Sequence, residues 1–104
     1  MKVIVDIGVV PIGAGLSLSK YVAACQTIFR EAGLEPRLHA YGTNLEGEWD
    51  VVFGAIRRCH EVLHEMGAPR LYSVVKIGTR TDRTESIDDK IDSVRAKTEP
   101  GRDA

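Results

Sequence analysis

The chain has 104 residues, enough for one domain over 1–104 and too few for two. With 43% apolar and 28% charged residues it has the makeup of a globular domain, and no apolar run approaches bilayer-spanning length. A net charge of −1 and few aromatic side chains argue against nucleic acid or an anionic membrane as a partner.

Val3, Val5, Ile7 and Val9 alternate with Lys2, Ile4, Asp6 and Gly8, which predicts a strand with one strongly apolar face. Asp6 within the run, and no small-residue cleavage motif, favour a first strand over a signal peptide. Pro11 is expected to end the strand, because proline cannot donate to a ladder. The next stretch, PIGAGLSLSKY, has the strand, glycine loop and helix order by which many proteins hold phosphate. The details exclude the nucleotide versions. A P-loop places lysine and a hydroxyl where this chain has Ala14 and Gly15, and a dinucleotide fingerprint places glycine where it has Leu18. Gly13 and Gly15 are therefore expected to turn the chain, and Ser17 or Ser19 to cap the following helix.

Val22, Cys25, Phe29 and Ala32 carry helical spacing, and Gly33 supplies the stop. Two extended segments, Arg37–Tyr41 and Asn44–Trp49, flank Gly42 and Thr43 and predict a bulged pair of strands or a hairpin with those two residues at its tip. Asp50 is the expected cap of a second helix, with Val52, Ile56, Cys59, Leu63 and Met66 as its core stripe and Gly67 as its end. Arg70 to Gly78 is a strand with Leu71, Ser73, Val75 and Ile77 on one face and Tyr72, Val74 and Lys76 on the other. A polar loop, residues 79–85, leads to a third helix over Ser86–Lys97, and the last residues, about 98–104, are expected to fray.

This order is that of an α+β, ferredoxin-like βαββαβ sandwich with an extra C-terminal helix. Two helices cover only one face of such a sheet. The other would expose Ile4, Tyr72 and Val74 among Lys2, Asp6 and Lys76, so a homo-oligomer is expected to bury it. Cys25 and Cys59 lack CxxC spacing and are expected to be buried thiols of a cytoplasmic protein. His60-Glu61-Val62-Leu63-His64 matches HExxH, yet His39 is the only other histidine. One packed and one solvated histidine is the simpler expectation, with a zinc hydrolase as the remote one and no metal site assigned. No nucleophile–base pair is visible, which favours a protein that is not an enzyme. A structural or regulatory assembly without a ligand is the alternative of another class.

Taken together, PIGAGLSLSKYVA, YGTNLEGEWDVV, His60 and GAPRLYSVVKIGTRTD resemble the small thiamine-binding protein family from Val3 to about Val94. The resemblance implies a ferredoxin-like fold, assembly as a dimer of dimers, and thiamine as a ligand with no further cofactor. One segment departs: the family's K-I-D-D-R-x-D is Lys76-Ile77-Gly78-Thr79-Arg80-Thr81-Asp82 here, with acids lost near the strand end. Thiamine's aminopyrimidine needs a carboxylate or amide and a hydroxyl. Glu46 with Asn44 and Thr43 is the first expectation for that edge, Ser17 and Ser19 for the other, and Tyr21, Tyr41 or Trp49 for stacking. Each has a plainer role: a solvated edge carboxylate, a turn, a cap, a core aromatic.

Overall fold

The computed structural model describes residues 1–98. In chain order they form β1 (Lys2–Ile12), α1 (Ser19–Glu31), β2 (Arg37–His39), β3 (Gly42–Glu48), α2 (Trp49–Glu65), β4 (Arg70–Gly78) and α3 (Ile87–Thr98). The strands make one antiparallel sheet in the order β2-β3-β1-β4. This is the ferredoxin-like α+β architecture, with β1 in the interior and α3 added after the last strand. Thr98 closes α3; the rest of the expected frayed tail, residues 99–104, lies outside the described residues.

The period-two pattern of β1 sorts its side chains as expected. Val3, Val5 and Ile7 are buried beneath the helices, together with Leu45 of β3. From α1 and α2 come Cys25, Phe29, Val52, Cys59 and Leu63. Burying a Phe or Leu of this kind stabilises by roughly 1.5–3 kcal/mol. Both helices end at a left-handed glycine. Gly33 has φ +81° and Gly67 φ +103°, and each closes with a pair of backbone bonds: Gly33 N–H to Arg30 O and Leu34 N–H to Phe29 O, then Gly67 N–H to His64 O and Ala68 N–H to Leu63 O.

Several local expectations are corrected. Pro11 does not end β1, which continues to Ile12 and pairs Pro11 with Leu71. Past Ile7 the strand has lost its β3 neighbour, so it is an edge on that side and tolerates a missing donor. The hairpin turns at Ala40-Tyr41; Gly42 and Thr43 are strand residues opposite His39 and Leu38. Gly42 is glycine because of close approach: a Cβ there would lie 2.7 Å from the Ile7 carbonyl oxygen. Neither Ser17 nor Ser19 caps α1. The cap position is Leu18, already in helical geometry, with no side-chain bond, and Ser19 is the first helical residue. Asp50 lies in the first turn of α2, and Glu48 holds its cap position without capping it, because its carboxylate accepts a 2.9 Å bond from the Met1 amine. Met66 falls beyond the last turn of α2 and is exposed, as is Ala32 beyond α1.

The face of the sheet away from α1 and α2 carries exposed Val10, Ile12, Tyr72 and Val74. The base of α3 is tied to this face. Glu46 Oε2 accepts the Ile87 N–H at 2.9 Å and lies 3.9 Å from Lys2 Nζ. Arg37 makes two 2.8 Å bonds to Asp88, and Ser86 and Asp89 exchange a capping-box pair. From Asp88 to Arg95 every residue is exposed, including Ile91 and Val94.

Candidate functional site

Along α1, residues 19, 23, 26 and 30 recur at helical spacing and face a cleft of about 890 Å³. The opposite wall is the end of β1 from Ile7 to Val10, and the mouth is formed by the β2–β3 hairpin with Leu38 and Tyr41. The walls are mostly apolar. Inside them lies one hydrogen-bonded pair: Gln26 Nε2 donates to Thr43 Oγ1 at 2.9 Å, with Gln26 7% and Thr43 4% exposed. Thr43 accepts this bond, so its own hydroxyl proton is free to donate. Gln26 retains its amide oxygen as an acceptor. A donor beside an acceptor in an apolar wall is what recognises a polar heteroaromatic edge.

At the hairpin, His39 Nε2 bonds Asp6 Oδ1 at 2.6 Å and His39 Nδ1 accepts the Tyr41 N–H at 3.3 Å. The backbone donor fixes Nδ1 as acceptor, so the neutral ring carries its proton on Nε2 toward Asp6. This contact holds the turn that forms the cleft mouth.

The sequence-derived candidates are distributed over two faces. Ser19 and Thr43 line the cleft. Thr43 and Glu46 are separated by three positions in a strand of period two, so they point to opposite faces; Asn44 lies with Glu46 on the face opposite the helices, paired with Asp6. Glu46 is engaged by the α3 backbone. Ser17 is exposed in the loop, and Tyr21 is a core residue, 3% exposed, with Lys20 Nζ 5.1 Å from its ring centre. Tyr41 is at the mouth, and Trp49 stacks on Phe53 at 4.6 Å between ring centres. Gln26 was not singled out by sequence reasoning. Its polar side chain within the apolar α1 stripe, one position after Cys25, was the available signal.

Cys25 and Cys59 are both buried and free, and they meet between α1 and α2. The Cys59 hydrogen bond holds the Cys25 thiol below its ordinary range, although burial opposes this. The same bond, then burial, pushes Cys59 well up. Cys25 also borders the cleft.

His60 and His64 take separate partners. His60 Nε2 bonds Ser73 Oγ at 2.6 Å, and His64 Nδ1 donates to Ala68 O at 2.8 Å. The His60–Ser73 contact joins a base to a hydroxyl across α2 and β4, a pairing the sequence does not reveal; neither residue lines the cleft. Among the described residues no group of three or more His, Cys, Asp or Glu is arranged to hold a metal ion.

At the other end of β1, a cavity of about 370 Å³ contains Glu85, whose carboxylate meets Arg80, Arg83 and Lys90 at 2.9–3.0 Å. Lys90, then Arg80, hold its carboxyl below the usual range, against the opposing effect of burial. Arg80 also grips Asp82 with bonds of 2.7 and 2.6 Å, which lowers Asp82 to about 2. The segment that departs from the family pattern is thus an ion-pair clasp.

No helix among the described residues is long and apolar enough to cross a membrane. The fold and the cleft define a small ferredoxin-like protein with a polar pair set into an apolar pocket between helix and sheet. The chain belongs to the thiamine-binding protein family, whose profile matches residues 5–95. It is 56% identical over 94 residues to a UPF0045 protein of Synechocystis, spanning 90% of this chain and 78% of that one. It is 39% identical to a UPF0045 protein of Eremothecium gossypii, spanning 93% of each. The solved structure of a hypothetical protein from Methanocaldococcus jannaschii superposes with a TM-score of 0.83 at 31% identity, covering 89% of this chain and 95% of that one. A Thermotoga maritima protein provisionally described as one of thiamine biosynthesis or salvage shares the fold, with TM-score 0.77, 21% identity, and coverage of 91% and 100%.

Proposed function

We propose that this chain binds thiamine or a related aminopyrimidine in the α1–sheet cleft, without transforming it. The observation that carries the reading is the Gln26–Thr43 pair, buried in an apolar wall of a chain that belongs to the thiamine-binding family. An aminopyrimidine presents a ring nitrogen that accepts and an adjacent amino group that donates. The Thr43 hydroxyl and the Gln26 amide oxygen match that edge, and a buried match of this type discriminates strongly. Ser19 extends the polar line toward the helix start, and Tyr41 offers a ring at the mouth.

The working form is a cytoplasmic homo-oligomer, in line with the dimer of dimers implied by the resemblance. Exposed Val10, Ile12, Tyr72 and Val74 on one sheet face, with Ile91 and Val94 on α3, supply the surface for it.

Calorimetric titration with thiamine tests the reading, using the natural chain, Gln26→Leu and Glu46→Ala. The expected outcome is micromolar affinity, about −8 kcal/mol, for the natural chain and Glu46→Ala, and its loss in Gln26→Leu. Circular dichroism confirms that each variant is folded. If folded, oligomeric protein gives neither heat nor thermal stabilisation with thiamine, the proposal fails and a purely structural assembly takes its place.

A further inference from the structure

The charge of the cleft constrains the charge of its occupant. Among the residues that line it there is no aspartate or glutamate. Asp6, which meets His39 at the hairpin that forms its mouth, is held by that contact. Arg30 lines the cleft and has no ion pair among the described residues. At the opposite end, Leu18 and Ser19 bring the start of α1 into the cleft with no side-chain cap and no acid in the first turn. The N-terminal end of a helix carries a partial positive charge of about half a unit. A cation such as the thiazolium ring of thiamine therefore meets positive potential and no counter-charge in this pocket.

Resting on the assignment of the cleft made above, we infer that its preferred occupant is a phosphate ester of the aminopyrimidine class, with Arg30 as the phosphate partner. Arg30 follows Gln26 by four residues, so the two share one face of α1, separated by about 6 Å along its axis. A pyrimidine edge on Gln26 and Thr43 thus leaves its substituent within reach of the guanidinium. The planar fork of arginine suits phosphate oxygens in a way that a solvated lysine does not. The plainer role of Arg30 is to sit favourably in the last turn of α1. That role changes helix stability and makes no distinction between ligands, which gives the test its contrast.

The experiment is calorimetric titration of the natural chain, Arg30→Gln and Arg30→Lys with thiamine, thiamine monophosphate and inorganic phosphate, at low and high salt. The monophosphate is expected to bind roughly tenfold or more tightly than thiamine. Arg30→Gln is expected to remove most of that gap, with Arg30→Lys intermediate. The gap is expected to narrow as salt shortens the screening length. Thermal melts confirm that the variants remain folded. Equal affinity for the two thiamine forms, or a gap that survives in Arg30→Gln, overturns the phosphate assignment alone. Binding of inorganic phosphate as tight as that of the monophosphate overturns the pyrimidine part. Absence of binding by both thiamine forms overturns the assignment of the cleft, and this inference with it.

Discussion

Strand β3 serves two different surfaces through alternate residues. Thr43 and Leu45 point to the helices, where Thr43 completes a neutral hydrogen-bonded pair inside an apolar cleft. Asn44 and Glu46 point the other way, where Glu46 carries a charge and holds the base of α3. Four successive residues thus supply part of a cleft wall and a structural anchor. The comparison teaches that closeness in sequence is no guide to a shared site in a strand, where neighbours are divided by the thickness of the sheet.

The largest expected difference between the two faces is in stability. Phe29, 1% exposed, forms part of the cleft wall and the core, so Phe29→Ala is expected to cost about 3–5 kcal/mol in urea unfolding. Val74→Ala, on the exposed face, is expected to change the stability of the isolated chain by less than about 0.5 kcal/mol. Its effect should instead appear as weaker self-association in analytical ultracentrifugation. A large loss of chain stability in Val74→Ala without any change in association would reverse the roles given to the two faces.

Substitution of the two polar anchors separates them next. Glu46→Ala removes the acceptor of the Ile87 N–H and is expected to cost about 1 kcal/mol, as loss of a helix cap does. Amide exchange should quicken in α3 and stay unchanged in α1. Gln26→Leu should leave α3 exchange alone and abolish thiamine binding. If Glu46→Ala abolishes binding with α3 intact, the carboxylate belongs to the ligand.

Acid should act on the clamped carboxylates and spare the neutral pair. Arg37 holds the Asp88 carboxyl low, and Arg80 lowers Asp82 to about 2. A carboxylate depressed on folding contributes stability that is present above its unfolded value, near 4, and lost as pH falls through its folded one. Loosening of the α3 base and the residue 79–85 loop is therefore expected between about pH 4 and pH 2, read from amide chemical shifts. The Gln26–Thr43 pair has no titrating group and should not respond in that window. The smallest effect concerns the thiols. Cys25 should react with iodoacetamide before Cys59, and a saturating ligand should slow it, because Cys25 borders the cleft. Equal rates for both thiols would contradict that order.

Much of the fold was legible because its signals are periodic. The bounds of β4, Arg70–Gly78, follow directly from alternation, and the glycines at 33 and 67 mark both helix ends. Single-position signals were less secure. Serine at 17 and 19 suggests a cap, but the chain enters α1 through Leu18 in helical geometry. Gly42 suggests a turn, whereas its purpose is close packing beneath Ile7, which only the paired strand explains. The site was partly legible for a similar reason. Ser19 and Thr43 were chosen for their chemistry and do line the cleft. Gln26 was hidden because a polar residue on a helix is ordinarily solvated, and its burial depends on a strand 17 residues away. Glu46 drew attention through its charge, and the partner it takes, a backbone N–H 41 residues on, has no signature of its own.

The anchoring of α3 has a mechanical consequence. The helix is fixed near its start by Glu46, Arg37 and the Lys90–Glu85 ion pair, and its side chains from Ile91 to Arg95 are exposed. Twelve residues make a rod of about 18 Å, so a pivot of about 10° at the base displaces the far end by about 3 Å. Such a lever converts a small change in bond geometry at Glu46 into a shift of Val94 comparable to the radius of a side chain. A neighbouring subunit gripping the far end would feel that movement, while the cleft on the other side of the sheet would remain still.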